Sequence, residues 1–142
     1  LLTLSLPLHY NSASDGRLGR LLSHLLLTSK SCESLEALLI DGYLEGECVR
    51  ALAAYLFSDR AASLRRFRCK WRGSLEPEPD GRPTIPSALA SGRLPMLEDV
   101  DLKPMFLAAE DEDQLAQWAA SPSASRLVSL RLKLPELRPV LR

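Results

Sequence analysis

Few residues in this chain have the type and spacing for covalent chemistry. Cys48 is the most plausible nucleophile, because it stands at an expected helix start, where orphan amides would lower a thiol pKa. The same position also suits a small core residue, and no histidine lies near it in sequence. The only histidines are His9 and His24. Neither has a partner at metal-ligand spacing, and His24 is expected on the polar side of a helix. No phosphate-binding glycine loop of either common type and no G-x-S-x-G elbow occurs. The acidic run Glu110 to Asp113 resembles a cation site, yet it stands where a helix should begin, and negative charge is favourable there. We therefore expect no enzyme activity, no catalytic residue, no metal and no cofactor.

The remaining chemical feature is the basic run RRFRCKWR, residues 65–72. Alone it suggests a nucleic-acid contact, because cations interleave with an aromatic ring. Its meaning depends on what lies beside it, and so on the elements that carry it.

Internal spacing defines those elements. The pattern L-x-x-L-x-L, with other apolar residues allowed, occurs five times: at Leu1, Leu4, Leu6; Leu35, Leu38, Ile40; Leu64, Phe67, Cys69; Leu97, Val100, Leu102; and Leu127, Leu130, Leu132. Successive copies are 34, 29, 33 and 30 residues apart. The last two positions of each triplet share one face of a strand. A strand this short cannot bury its apolar face alone, so the copies must stack into a parallel sheet. Between them lie helical patterns. Asp15 to Thr28 carries Leu18, Leu21, Leu22, Leu25 and Leu26. Gly46 to Ser58 carries Cys48, Leu52, Tyr55 and Leu56. Asp111 to Ala120 carries Leu115, Trp118 and Ala119 and stops at Pro122. After Trp71, four prolines break any long helix. Only Thr84 to Ser91 can make a short one, with Ile85 and Leu89 inward, and Leu75 to Arg82 reads as an exposed excursion within the Pro-rich stretch 75–86.

The unit beginning LEALLIDGYLEGECVRALAAYLFS resembles a leucine-rich repeat of the ribonuclease-inhibitor type. The resemblance implies an α/β solenoid, with a parallel sheet on the concave side and helices on the convex side. It covers residues 1–142 as one domain with degenerate repeats. Tyr43 and Met105 stand where the family has Asn or Cys, so these turns should be less regular. The chain opens directly on Leu1 and Leu2 and ends with only a partial polar cap, which we read as a segment of a longer chain.

Stacking in register sets residues of neighbouring strands about 4.8 Å apart. One outward row should be Thr3, Ala37, Arg66, Asp99 and Ser129. A second should be Ser5, Leu39, Arg68, Asp101 and Arg131, and a third Pro7, Asp41, Lys70, Lys103 and Lys133. Arg66 should then lie beside Asp99, and Arg68 beside Asp101. Part of the charge of the basic run is answered next door by Glu98, Asp99 and Asp101, which favours an exposed ion-pair ladder over a nucleic-acid contact. The candidate binding face comprises Arg66, Arg68, Lys70, Trp71 at its rim, Asp99, Asp101, Lys103 and Arg131. Trp and Arg are frequent anchors of protein interfaces.

The chain has 18 basic and 18 acidic side chains, so net charge advertises neither nucleic acid nor anionic lipid. No apolar run approaches the roughly 20 residues of a membrane helix, and LLTLSLPL does not read as a signal peptide. Cys32, Cys48 and Cys69 match neither a disulfide framework nor a zinc pattern; Cys32 is expected to be exposed. They favour an intracellular setting, cytoplasmic or nuclear. The expected function is protein–protein interaction or scaffolding within a larger protein or assembly, with other proteins as partners and no small-molecule substrate. The family resemblance leaves two alternatives, a substrate-recognition domain of an F-box type ubiquitin-ligase adaptor and a GTPase-activating regulator. The basic strand leaves a third, a nucleic-acid contact.

Overall fold

The structure is a computed structural model that describes residues 3–7, 16–72, 84–105 and 107–133. His9, the excursion 75–82 and the closing segment from 134 lie outside the described residues. Five strands alternate with four helices: β1 (Thr3–Pro7), α1 (Gly16–Thr28), β2 (Ala37–Leu44), α2 (Glu47–Phe57), β3 (Arg66–Trp71), α3 (Ile85–Ala90), β4 (Asp99–Pro104), α4 (Ala109–Ala119) and β5 (Ser129–Leu132). The strands form one sheet in chain order, and each neighbouring pair is parallel. Crossovers between parallel strands are right-handed. With strands added in one direction, each crossover therefore returns over the same face.

That face is the core. Leu38, Ile40, Phe67, Cys69, Val100 and Leu102 are buried together with Leu22, Leu26, Leu52, Leu56, Ile85, Leu89, Leu115 and Trp118 from the helices. The first triplet positions Leu35, Leu64 and Leu97 are buried with them. The opposite face of the sheet carries the exposed residues. Triplet positions at the two outer strands are less enclosed: Leu4, Leu6, Leu127 and Leu132 are half-buried, and Leu130 is 38% exposed.

Register is held by a repeated device at the strand starts. The carbonyl of Glu36 accepts from the amides of Arg65 and Arg66. That of Arg65 accepts from Glu98 and Asp99, and that of Glu98 from Val128 and Ser129, all at 2.6–3.1 Å. A second device ends the helices. The hydroxyls of Ser58, Ser91 and Ser121 each donate to the carbonyl three residues back, which also accepts the same serine's amide. Short 3-10 turns at Lys30–Cys32, Asp59–Ala61 and Pro122–Arg126 precede β2, β3 and β5.

Arginines that follow α2, α3 and α4 each reach back to the preceding unit. Arg60 donates from Nε to the Leu26 carbonyl at 2.8 Å and from Nη2 to the Ser29 carbonyl. Arg93 donates to the Phe57 carbonyl at 3.0 Å, and Arg126 reaches the Met96 sulfur at 4.0 Å. These arginines are 33 residues apart, a period parallel to that of the triplets. A cation suits the C-terminal carbonyls of a helix, which carry partial negative charge.

Three expectations about packing need correction. Leu21 is 57% exposed, because α1 turns Leu22 and Leu26 into the core and Gly19 against α2. The approach at Gly19 is close enough that an added Cβ would stand 2.5 Å from Glu47 Cβ, so the leucine-rich face of α1 is narrower than its sequence suggests. Cys32 is fully buried, because its 3-10 turn rolls the thiol inward rather than leaving it in a loop. Ala119 is exposed at the end of α4, whose inward positions are Leu115 and Trp118. The Leu18 side chain lies outside the described residues. Cys48, Leu52, Tyr55 and Leu56 form the buried face of α2, and Thr84 caps α3 through a reciprocal bond with Ser87. Glu110, Asp111 and Glu112 occupy the first turn of α4, where Asp111 also accepts from the Thr84 hydroxyl at 3.0 Å.

Two measurements follow from this packing. Replacing Arg60 by Ala removes charged donors from two carbonyls that are then left part-buried, and urea unfolding should show a loss of about 2 kcal/mol. Arg60→Lys, lacking the fork, should recover only part of it. The Tyr55 hydroxyl is buried without a hydrogen-bond partner among the described residues. Burial pushes its phenol up to about 12, Cys32 adds to the rise and Arg60 opposes it. Burial pushes the Cys69 thiol up as well. The proton is thus held more tightly in the folded state than in the unfolded one. For Tyr55 that contribution is intact below the phenol's ordinary pKa of 10.0 and is lost as pH rises through about 12. Tyr55→Phe should raise stability at neutral pH by about 1 kcal/mol and flatten the alkaline decline, both read from urea unfolding across the alkaline range.

Candidate functional site

The open face of the sheet is built by strand alternation. In β3, Phe67, Cys69 and Trp71 point into the core, so Arg66, Arg68 and Lys70 must point out. In β4, Val100, Leu102 and Pro104 are buried, which turns Asp99, Asp101 and Lys103 outward. In β5 the outward residues are Ser129 and Arg131, and Lys133 continues the ladder through its amide bond to the Leu102 carbonyl at 3.0 Å.

Two of the expected rows are present residue for residue. Thr3, Ala37, Arg66, Asp99 and Ser129 are successive partners, as are Ser5, Leu39, Arg68, Asp101 and Arg131. The third row is correct at Pro7 with Asp41 and at Lys70 with Lys103, but it breaks between β2 and β3. There Tyr43, not Asp41, stands opposite Lys70. Strand β2 needs four residues from Leu39 to Tyr43 where β3 needs two from Arg68 to Lys70. The excess is taken up at Gly42, whose φ of 118° lies in the region that favours glycine. Because two residues are inserted, side-chain parity is restored, and Leu44 enters the core opposite Trp71. The irregularity expected near Tyr43 is therefore located at this bulge. Its consequence is electrostatic, since Asp41 no longer faces Lys70. The Lys70 ammonium lies over the Tyr43 ring, 6.0 Å from its centroid.

Trp71 is corrected. It is 2% exposed and belongs to the core, so it anchors nothing at the rim. It lies one residue past Lys70 and follows the inward parity of Phe67 and Cys69, which outweighs its position at the strand end. The other seven candidate residues are brought together on the open face. Five of them line a shallow cavity of about 140 Å³, namely Arg66, Arg68, Asp99, Asp101 and Arg131. Leu39 and Ser129 border the same cavity and were not singled out beforehand. Leu39 was legible as an outward position in a row of polar ones.

Charge on this face is only partly answered. Arg68 and Asp101 form an ion pair at 3.7 Å, and Arg65 and Glu98 another at 3.5 Å at the strand starts. Arg66, Asp99 and Arg131 make no ion pair among the described residues. Across β3, β4, β5 and the adjoining Lys133 the outward positions hold six basic side chains against two acidic ones, a net charge of +4 on a chain whose total is zero. Lys70 faces Lys103 directly, and Lys133 stands on the far side of Lys103.

Among the described residues no group of three or more His, Cys, Asp or Glu side chains is placed to hold a metal ion. Cys48 and Cys69 are buried, and His24 is exposed on α1, with Nδ1 3.1 Å from the Thr28 hydroxyl. No helix is long and apolar enough to cross a membrane among those residues.

Like charges opposite each other on a sheet are destabilising. Lys103→Glu converts two like neighbours into two unlike ones. Chemical unfolding at low salt should show a gain of about 0.5 kcal/mol, falling away near 1 M salt, where screening is strong. Unchanged or lower stability would mean that the lysines do not stand close.

Comparison with protein-family models, with curated proteins and with solved structures finds no match to this chain.

Proposed function

We propose that the chain is a protein-recognition module, the binding part of a larger protein or assembly, whose docking surface is the open face of its sheet. In this reading the fold is a leucine-rich-repeat solenoid similar to the ribonuclease-inhibitor type, with the open face on its concave side. The repeated apolar triplets, the doubly accepting carbonyls at 36, 65 and 98, and the arginines at 60, 93 and 126 support a stacked-repeat reading. Three buried cysteines, an odd number, favour work in a reducing compartment.

One observation carries the functional reading. The open face displays charged side chains fixed in rows by strand register, and several of them have no partner within the described residues. A rigid sheet presents such groups with little loss of backbone freedom on binding, which favours recognition. The cavity over Leu39 adds a small apolar floor between the arginines.

A photo-crosslinking side chain placed at Arg66 on the open face, or at Gln117 on α4, tests the reading in cell extract. Cross-links to defined proteins should form from position 66 and not from 117, and Arg68→Glu should reduce them by about tenfold or more without altering the circular dichroism. Cross-links from position 117 alone, or insensitivity to Arg68→Glu, would move the docking surface to the helices.

A further inference from the structure

The inference concerns what the open face binds, and it rests on the reading of that face as a protein-docking surface. Three features of the face are unequal. First, β1 and β2 are mostly uncharged on this face where β3 to β5 is basic: Thr3, Ser5, Leu39 and Tyr43 stand towards Arg66, Arg68 and Lys70, and Asp41 is the single charged outward residue of β2. Second, the basic side is only partly neutralised from within, by the Arg68–Asp101 pair. The bulge at Gly42 removes Asp41 from the end of the lysine row, and Arg66 and Arg131 have no ion pair among the described residues. Third, the lysines stand side by side across three strands, an arrangement that opposes folding. A face that served only to keep the chain solvated would mix the two signs, as the chain does as a whole.

We infer that the open face binds an acidic segment of a partner protein, with carboxylates on Lys103, Lys133 and Arg131 and an apolar side chain over Leu39. The lysine row spans about 10 Å across three strands at the usual strand spacing. An extended chain places side chains of one face about 6.8 Å apart, so a segment of about six residues crossing the strands reaches from Lys133 to Leu39. Carboxylates there gain charge-assisted hydrogen bonds and relieve the repulsion between the lysines at once.

A nucleic acid fits less well. Asp99 and Asp101 lie inside the basic field, where a continuous phosphate chain would meet them, whereas a protein segment can place a neutral or basic residue over them. Base stacking needs exposed rings. Here Trp71 and Phe67 are buried, and the Tyr43 ring is under Lys70.

The test uses the whole chain and three fluorescein-labelled probes: hexaglutamate, the same peptide with Leu in place of one central Glu, and a hexathymidylate. Fluorescence anisotropy at low and moderate salt gives the affinities. The leucine-containing peptide should bind tightest and the hexathymidylate weakest. Lys103→Glu with Lys133→Glu should weaken both peptides by about tenfold or more. Leu39→Ser should remove the advantage of the leucine-containing peptide. Each variant's unfolding curve is measured alongside, so that a folding defect is recognised, and the single exchange Lys103→Glu serves if the double one does not fold. Equal or tighter binding of hexathymidylate would overturn the inference in favour of nucleic acid. Absent peptide binding, or binding indifferent to the lysine exchanges, would overturn it outright. If the cross-links from position 66 persist while the peptides fail, the docking face stands and its acidic ligand does not. If both fail, the docking reading falls with it.

Discussion

Each strand after the second begins by giving two consecutive amide protons to one carbonyl of the strand before it, at Glu36, Arg65 and Glu98. That shared acceptor fixes where the strand starts, and everything on the sheet is counted from it. A slip of one residue would carry Phe67, Cys69, Val100 and Leu102 out of the core and drive Arg66, Arg68, Asp99 and Asp101 into it. Burying unpaired charge is far more costly than losing a single hydrogen bond. Alternation and the strand-start carbonyl therefore select the same register for independent reasons, and the open face inherits its order from the core.

The periodic part of this design is legible in the residues. Triplets with a first, fourth and sixth apolar position locate the strands and predict partners such as Arg66 with Asp99 and Arg68 with Asp101 across 33 residues of sequence. Helix faces are legible for the same reason, because burial on one side leaves a repeating mark. Aperiodic features leave none. Gly42 gives no sign beforehand that β2 will lengthen by two residues, since insertion of an even number preserves the alternation that periodicity detects. Trp71 reads as a surface anchor because its neighbours are basic, yet its parity is that of Phe67 and Cys69, and parity governs. Arg60, Arg93 and Arg126 have a period of their own, but exposed cations are common enough for it to pass unnoticed without their carbonyl partners.

The helix side and the sheet side of the molecule use arginine differently. Arg60 and Arg93 satisfy carbonyls at helix ends, where the partner is the chain itself and the interaction is between one unit and the one before it. On the open face, Arg66 and Arg131 have no such carbonyl or carboxylate within the described residues. Exposed pairs of the Arg68–Asp101 kind contribute little to stability. The charge of the sheet is thus not explained by what it does for the fold.

The lysine row carries that argument furthest. A regular pairing that kept Asp41 opposite Lys70 would have closed the row with a carboxylate. Instead the insertion places Tyr43 beneath Lys70, and Lys103 stands between two cations by the pairing of β4 with β3 and β5. For the isolated chain this arrangement is slightly unfavourable. In the proposed reading it is offset when negative charge arrives from outside, and the gain then includes relief of the repulsion between the lysines. A surface of this kind binds more tightly because it is less well satisfied alone, and exchanges that improve its stability should weaken its binding. That opposition separates a recognition surface from a merely solvated one, because a solvated face has nothing to lose when its charges are balanced.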